Sequence, residues 1–264
     1  MDSKVAFPWY DSPWLQAYVR AKAIIREVCP AALVDFEQAL SVLQAPRDFQ
    51  VEHLRSVLTP EEIEAVHEVV SGLRQEDYER HELFQFGRLV VHDHPEFTRL
   101  QHKFTSRVSE LAGEELEPSY NFLSLYNNLG VCMPHMDAPN AKWTLDICVD
   151  QSEPWPISFS QPVRWPEEFH GNRDSWHSQI LEDPSLEFST FAPQVNEAIF
   201  FAGGNQWHYR DRIARTKAEN FCHLLFFHFI PAGCAELVDP ANWSEIFDIS
   251  ELAGLRAAVS QAFA

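Results

Sequence analysis

The chain has 264 residues, 45% of them hydrophobic and 13% aromatic, which is enough to bury one large core. Its formal net charge of −19 makes nucleic acid or an anionic membrane an unfavourable partner, because phosphate binding requires clustered Lys and Arg. No apolar run approaches the roughly 20 residues of a membrane span and the first residues lack a secretion-signal pattern, so we expect a soluble, cytoplasmic protein.

The first part of the chain, residues 1–115, is predicted to be mainly helical. Ser12 and Pro13 are typical of an N-cap and a first-turn proline, and they predict a helix that runs toward Val28. The sequence Thr59-Pro60-Glu61-Glu62 has a cap, an N1 proline and an N3 glutamate in capping-box order. Residues 95–111 have apolar positions at helical spacing and predict a further helix.

The middle of the chain, residues 118–232, is rich in β-branched and aromatic residues and is predicted to form a sheet core. Residues 151–193 form an insert with many prolines and tryptophans, and inserts of this length are usually binding loops or lids. Its tryptophans either form an apolar wall over a small substrate or pack the loop on the core. Residues 240–264 are predicted to return to helix, which gives one α+β domain over 1–264.

A candidate metal site lies in the sequence Tyr126–Pro139, which contains His135-Met136-Asp137. In an extended strand, residues i and i+2 face the same side, so this imidazole and this carboxylate can bind one ion. A second imidazole is available at His208, after an apolar strand and a Gly203-Gly204 turn. Two histidines and one carboxylate on one face of an iron ion define the facial triad of non-haem Fe(II) oxygenases.

The stretch from about Tyr120 to Ile230 resembles the double-stranded β-helix (jelly roll) core of the 2-oxoglutarate- and Fe(II)-dependent dioxygenases, in the prolyl-hydroxylase-like style. The resemblance is carried by a Tyr-x-x-x-Gly turn before the His-x-Asp pair, by Asp-x-Pro after it, and by an alternating strand that follows. It implies that His135, Asp137 and His208 bind the iron and that Tyr126 contacts the cosubstrate.

The same resemblance implies Fe(II) and 2-oxoglutarate as cofactors, with O2 and a small-molecule or amino-acid-like substrate as partners. The expected reaction is hydroxylation of a C–H bond, with desaturation, ring closure and epoxidation left open. The carboxylate of Asp137 separates the chain from the halogenase variants, which replace that ligand to make room for chloride.

The chain departs from the family where an anchor for the distal carboxylate of 2-oxoglutarate is expected. Asn220 stands where the family usually has Arg or Lys at the start of the last core strand. If the segment after His208 is extended, Arg210 and Arg212 share its inward face, and each i to i+2 step advances about 6.6 Å. Arg210 is therefore predicted to pair with the distal carboxylate, with Arg215 as the second candidate. For Arg212 a surface ion pair is at least as good an interpretation.

Other histidines are weaker candidates. His92 and His94 also share a face, but the sequence offers no third ligand in a matching strand. His223 and His228 lie five residues apart in an apolar strand, hence on opposite faces, and His223 is the one that could contact the cosubstrate. Five cysteines without a C-x-x-C pair indicate neither a disulfide framework nor a structural zinc site.

Two further functions are consistent with the same sequence. A jelly-roll iron enzyme that uses oxygen without 2-oxoglutarate would explain the missing anchor on the last strand. A binding protein that kept the fold and lost catalysis is disfavoured because all three candidate ligands are present.

Overall fold

The computed structural model describes residues 12–165 and 176–255, and these contain two antiparallel sheets that form a jelly roll flanked by helices. The fold class predicted from the sequence, α+β with a jelly-roll core, is the one observed. The larger sheet has the order β1 (Glu52–Arg55), β8 (Glu197–Phe201), β5 (Trp143–Gln151), β10 (Cys222–Pro231), β3 (Leu116–Tyr126), β2 (Arg88–His92). The smaller sheet has the order β4 (Cys132–His135), β9 (His208–Arg210), β6 (Ile157–Ser160), β7 (Phe188–Phe191).

Helices precede, interrupt and follow these strands. They are α1 (Ser12–Val28), α2 (Leu33–Ser41), α3 (Pro60–Gly72), α4 (Pro95–Ala112), α5 (Trp176–Glu182), α6 (Ala235–Val238) and α7 (Trp243–Ile246). Among the described residues, no helix has the length and apolar character needed to cross a membrane.

Helix α3 begins with the capping box that its sequence predicts. The Glu62 backbone N–H donates to Thr59 Oγ1 at 3.3 Å, and the Thr59 backbone N–H donates to Glu62 Oε2 at 3.0 Å. Because Pro60 at N1 has no N–H, three N–H groups are left unpaired at this helix start, and the capping box satisfies two of them. Helix α4 ends at Gly113, which adopts the left-handed conformation (φ 70°) that favours glycine at a helix end.

The main hydrophobic core lies between the larger sheet and helices α3 and α4. The strands contribute alternate residues to this core, and the opposite residues of the same strands face the smaller sheet. Its buried members include Val66, Phe97, Leu100 and Phe104 from the helices and Leu145, Ile147, Leu225 and Phe227 from the strands. The helices thus hold the larger sheet from outside and leave its inner face for the site.

A second, aromatic core joins the N-terminal and C-terminal helices. Trp14 packs edge-to-face on Trp165 and Trp243, with ring centroids 5.0 and 5.4 Å away. Such pairs stabilise a core beyond the area that they bury. Trp165 comes from the predicted insert, and it is 6% exposed, so this tryptophan packs the loop on the core.

Three segments differ from the sequence-based description. The helical flank also contributes β1 and β2, which form the two edges of the larger sheet. The insert 151–193 contributes β6 and β7, which pair with each other and, through β6, with β9 of the smaller sheet, so it is not only a loop. The described part of the tail consists of short helical segments rather than one helix. Asp248, which has a positive φ of 53°, lies between α7 and the short 3-10 helix Ser250–Gly254. Residues 166–175 of the insert and 256–264 of the tail lie outside the described residues.

Candidate active site

The structure brings the three predicted metal ligands together. Strand β4 pairs with β9, and the register places His135 directly opposite His208. Asp137 follows two residues after His135, and its Oδ1 lies 3.5 Å from His135 Nε2 and 3.7 Å from His208 Nε2. One potential ligand atom from each of the three residues lies within 4.8 Å of the other two. This spacing is compatible with one metal ion bound between them.

The hydrogen bonds of the two imidazoles leave the right atoms available for a cation. His135 Nδ1 lies 2.8 Å from the Met133 carbonyl oxygen, and His208 Nδ1 lies 2.9 Å from the Gln206 carbonyl oxygen. A carbonyl oxygen can only accept, so each Nδ1 carries a hydrogen, and each Nε2, on the side of Asp137, is the nitrogen that can bind a metal ion. Metal-binding histidines in proteins are oriented in this way by a carbonyl or carboxylate at the other nitrogen.

The protonation of the three groups fits the same interpretation. Burial raises the pKa of Asp137, but His208 and His135 outweigh it and hold that pKa well below its usual range. Burial and the neighbouring His135 lower the pKa of His208 to about 4. Burial also opposes protonation of His135, but Cys132 and Asp137 raise its pKa above the ordinary value. These shifts favour an ionised Asp137 beside the two imidazoles, and an ionised carboxylate is the form that binds a divalent cation.

Gly203 makes room for the carboxylate. The Asp137 backbone N–H donates to the Gly203 carbonyl at 2.9 Å. A Cβ at position 203 would overlap Asp137 Oδ2 and would lie 2.7 Å from the Ala141 carbonyl oxygen and 3.0 Å from Thr144 Oγ1. The first position of the Gly203-Gly204 turn thus requires glycine, because the atoms around it leave no room for a Cβ.

We expect Gly203→Ala to weaken metal binding, because the added methyl group must push the Asp137 carboxylate or the strand that carries it. The effect on Fe(II) affinity should be on the order of tenfold or more, as for other changes that misorient a metal ligand. Gly204→Ala is the matched control, since the nearest atom to a Cβ there is 3.7 Å away. An anaerobic Fe(II) titration of both variants measures the difference, and equal affinities would contradict the assigned role of Gly203.

The triad lies in the wall of a cavity between the two sheets. The cavity has a volume of about 40 Å³, which is room for roughly three water molecules. An organic ligand must therefore displace lining side chains or extend into the mouth, where Tyr120 and Phe226 are partly exposed. Its lining residues are Phe86, Arg88, Tyr120, Phe122, Tyr126, Cys132, His135, Asp137, Ile157, Phe201, His208, Arg210, Phe226 and His228.

Arg210 faces the cavity, as the strand phase predicts, but its charge already has a partner. Its Nη2 donates to Asp146 Oδ2 at 2.6 Å, and its Nη1 donates to the Trp155 carbonyl oxygen. Both partners of this ion pair are buried, at 3% and 1% exposure. A buried pair of this kind is costly to break, because the remaining charge would be left without compensation.

The other two arginines of this segment lie away from the cavity lining. Arg215 is exposed, and Arg212 is exposed and donates to the Leu129 carbonyl at 3.2 Å. Asn220 is buried and has a structural environment: its backbone N–H donates to Asn128 Oδ1 at 2.7 Å, and its own Oδ1 accepts from the Lys217 backbone N–H. These bonds order the loop before β10, which explains an asparagine at this position.

Arg88 is a cavity residue that the sequence analysis did not identify. It lies on β2 opposite Tyr126, and its Nη1 donates to Tyr126 Oη at 2.8 Å and to Ser124 Oγ at 3.2 Å. Its Nε pairs with Glu82, whose side chain is 14% exposed. The sequence shows an arginine at the start of a short apolar strand, but only the pairing of β2 with β3 brings that arginine to the cavity.

Of the remaining histidines that the sequence offers as candidates, only His228 lines the cavity. His94 caps α4 by accepting from the Glu96 backbone N–H, and His92 pairs with Glu79 at 2.7 Å, so neither lies in the cavity lining. His223 and His228 face opposite sides of β10, as expected, but the one that lines the cavity is His228. The sequence alone could not decide which of these two faces was inward.

The fold is similar to that of solved structures of 2-oxoglutarate-dependent non-haem iron enzymes. Solved structures with this fold include the epimerase SnoN from nogalamycin biosynthesis, 18% identical, with a TM-score of 0.51, covering 80% of this chain and 90% of SnoN. They also include the carbocyclase SnoK of the same biosynthesis, 14% identical, with a TM-score of 0.52, covering 72% of this chain and 86% of SnoK.

HygX from Streptomyces hygroscopicus, in a structure with nickel, 2-oxoglutarate and hygromycin B bound, is 10% identical, with a TM-score of 0.51 over 75% of this chain and 87% of HygX. At these identities the likeness is one of fold. No protein-family model and no curated protein sequence matches the chain.

Proposed function

We propose that the protein is a 2-oxoglutarate-dependent Fe(II) dioxygenase that oxidises a small molecule, with hydroxylation of a C–H bond as the expected reaction. The observation that carries the proposal is the convergence of three side-chain atoms, Nε2 of the buried His135 and His208 and a carboxylate oxygen of the half-buried Asp137, on one point. The fold supports it, because the structural neighbours SnoN, SnoK and HygX are 2-oxoglutarate-dependent or 2-oxoglutarate-binding proteins.

In this proposal His135, Asp137 and His208 hold the Fe(II) ion. When bound, the iron supplies the reaction of dioxygen with 2-oxoglutarate, which yields succinate and CO2 and leaves one oxygen atom for oxidation of the substrate. The protein orients the reactants and excludes water. The backbone carbonyls of Met133 and Gln206 fix the tautomer of the two imidazoles, so that the site is formed before the metal binds.

We place the distal carboxylate of 2-oxoglutarate at Arg88 and Tyr126. The Tyr126 hydroxyl accepts from Arg88 Nη1, so its own hydrogen is left to donate to a ligand. Burial raises the pKa of Tyr126 above its ordinary value, which keeps that hydrogen in place. Arg210 remains a second candidate, but it would have to share its charge between Asp146 and the ligand. Arg215, which is exposed, would have to move into the cavity to take this role.

One observation favours a second function, an iron oxygenase that does not use 2-oxoglutarate. Both arginines that line the cavity already face a carboxylate, Glu82 for Arg88 and Asp146 for Arg210. The two functions differ in product, because only the first converts 2-oxoglutarate to succinate.

The test of the proposed function combines two measurements on the purified protein. We expect an anaerobic titration to show one Fe(II) bound per chain, and we expect oxygen plus 2-oxoglutarate to give succinate once a substrate is supplied. A library of amino acids and small ring compounds, screened by succinate release, identifies that substrate. Binding of Fe(II) without succinate from any compound, together with oxygen consumption, would favour the second function, and absence of Fe(II) binding would exclude both.

A further inference from the structure

The inner wall of the cavity carries a group of four aromatic side chains that the iron and its cosubstrate do not explain. Tyr120 and Phe122 come from β3, and Phe226 and His228 come from β10. Tyr120 and Tyr126 are six residues apart on the same strand, which corresponds to about 20 Å. The group of rings therefore begins beside the Arg88–Tyr126 pair, where Arg88 Cζ lies 5.3 Å from the Phe122 ring centroid, and extends away from that pair along β3 to Tyr120.

The four rings are nearly parallel. The His228 ring lies 4.2 Å from the Tyr120 ring at an interplanar angle of 24°, 5.3 Å from Phe122 at 28°, and 6.2 Å from Phe226 at 2°. Phe122 and Phe226 are 4.8 Å apart at 26°. At these distances the rings stack on one another, so the row presents mainly ring edges to the cavity, and edge-to-face packing is the contact that it offers to a flat apolar group.

His228 adds a polar atom to this wall. The residue is 3% exposed, and its Nε2 is a buried polar atom without a hydrogen-bond partner among the described residues. A buried nitrogen of this kind is rare, since a buried polar atom without a hydrogen bond destabilises the folded state. The atom is closed to solvent but belongs to a side chain that lines the cavity, so a ligand that displaces a neighbouring lining side chain can reach it.

The hydrogen bonds behind His228 decide which partner its Nε2 needs. Thr144 Oγ1 lies 3.0 Å from His228 Nδ1 and 3.5 Å from Asp137 Oδ2. The hydroxyl hydrogen goes to the carboxylate, because an ionised acceptor holds a donor more strongly than a neutral imidazole does. Thr144 must then accept from His228 Nδ1–H, and this tautomer leaves a lone pair on Nε2. Burial also lowers the pKa of His228 to about 4, so the ring is neutral.

We propose that Tyr120, Phe122, Phe226 and His228 form the substrate-binding wall, and that the substrate is a flat, largely apolar ring compound with a hydroxyl or N–H donor that binds His228 Nε2. The role of this wall as a substrate site rests on the proposed function, whereas its binding of a ring compound does not. The Thr144 hydroxyl connects this wall to Asp137, so the donor group of the substrate is linked to a candidate metal ligand by a chain of three hydrogen bonds. The reacting C–H bond would then lie close to that donor.

The experiment compares two probes of nearly equal shape, indole and benzofuran, of which only indole has a donor. Binding is measured by calorimetry with the protein loaded with Fe(II) and 2-oxoglutarate without oxygen, and again with the metal-free protein. We expect indole to bind about tenfold more tightly than benzofuran, the ratio that corresponds to one net hydrogen bond of about 1.4 kcal/mol. His228→Phe keeps a stacking ring and removes the acceptor, so this ratio should fall to about one.

His223→Phe is the matched control, because His223 lies on the same strand but faces away from the cavity, and it should keep the wild-type ratio. A metal-free protein that still prefers indole would support the wall even if the iron function fails, which separates the two hypotheses. If His228→Phe loses Fe(II) affinity and leaves the indole ratio unchanged, His228 acts on Asp137 through Thr144, and the proposed wall is wrong.

The tautomer provides a second measurement that needs no variant. In protein labelled with ¹⁵N-histidine, we expect the His228 resonances to show hydrogen on Nδ1 and a lone pair on Nε2, and we expect indole to shift the Nε2 resonance. Hydrogen on Nε2 would overturn the proposal, since the substrate would then need an acceptor instead of a donor.

Discussion

Asp137→Ala should abolish succinate formation and lower Fe(II) affinity by on the order of 100-fold or more, since even residues behind a metal ligand change affinity by about 10–100-fold. The change removes the negative charge between the two imidazoles and leaves both with their tautomers fixed by backbone carbonyls. Two neutral nitrogen ligands alone hold Fe(II) weakly, because the facial triad requires its carboxylate. An anaerobic Fe(II) titration and a succinate assay measure the two effects.

Asp150→Ala is the matched control for this variant. Asp150 lies on β5, is half-buried, and is not among the residues that line the cavity. We expect the control to keep Fe(II) affinity and turnover near the wild-type values. Circular dichroism and thermal unfolding of both variants verify that they fold. A folded Asp137→Ala protein with wild-type Fe(II) affinity would show that the convergence of the three residues does not form a metal site.

The sequence predicted the convergence of the three candidate metal ligands better than it predicted the rest of the cavity, for a geometric reason. His135 and Asp137 are two residues apart in extended chain, and this alone places them on one face. Placing His208 beside them needs one further inference, that the strand of His208 pairs with the strand of His135. The register of β4 and β9 has His135 opposite His208. Short-range periodicity thus carried most of the information about these three residues.

The partners of Arg88 and Arg210 depend on contacts between distant strands, which local sequence patterns do not predict. The phase of β9 correctly turned Arg210 inward, but no local pattern revealed that β5 places Asp146 against it at 2.6 Å. Arg88 was missed because its position in the cavity depends on β2 pairing with β3, a contact between segments about 36 residues apart. The pairing of distant strands depends on the whole fold, so it cannot be predicted from the local pattern of a single sequence.

The predicted fold class is correct, but the prediction does not identify the short strands β6 and β7. The capping box of α3 and the helix start at Pro95 are local signals, and both appear in the structure. Strands β6 and β7 were read as part of an insert because four-residue strands in a proline-rich segment have little periodicity of their own. Their partners in the smaller sheet make them strands.

Arg88→Met should raise the concentration of 2-oxoglutarate needed for half-maximal turnover by at least about 30-fold, while Fe(II) affinity stays within a few-fold of the wild-type value. Loss of one partner of a buried, hydrogen-bonded charge pair costs about 2–5 kcal/mol, which corresponds to this factor or more. Methionine keeps an unbranched stem of similar length, and Glu82 can be hydrated because it is partly exposed. Steady-state succinate release at varied 2-oxoglutarate concentration measures the effect.

Arg210 is tested by a paired change, because Arg210→Met alone would leave Asp146 buried without its cation, and a loss of stability would obscure the result. Arg210→Met combined with Asp146→Asn removes both charges, and the exposed Arg212→Met serves as the control for loss of one surface charge. We expect the double variant to change the 2-oxoglutarate requirement less than Arg88→Met does. If the order is reversed, the distal carboxylate binds Arg210 as the strand phase first indicated, and Asp146 must release that arginine when the cosubstrate binds.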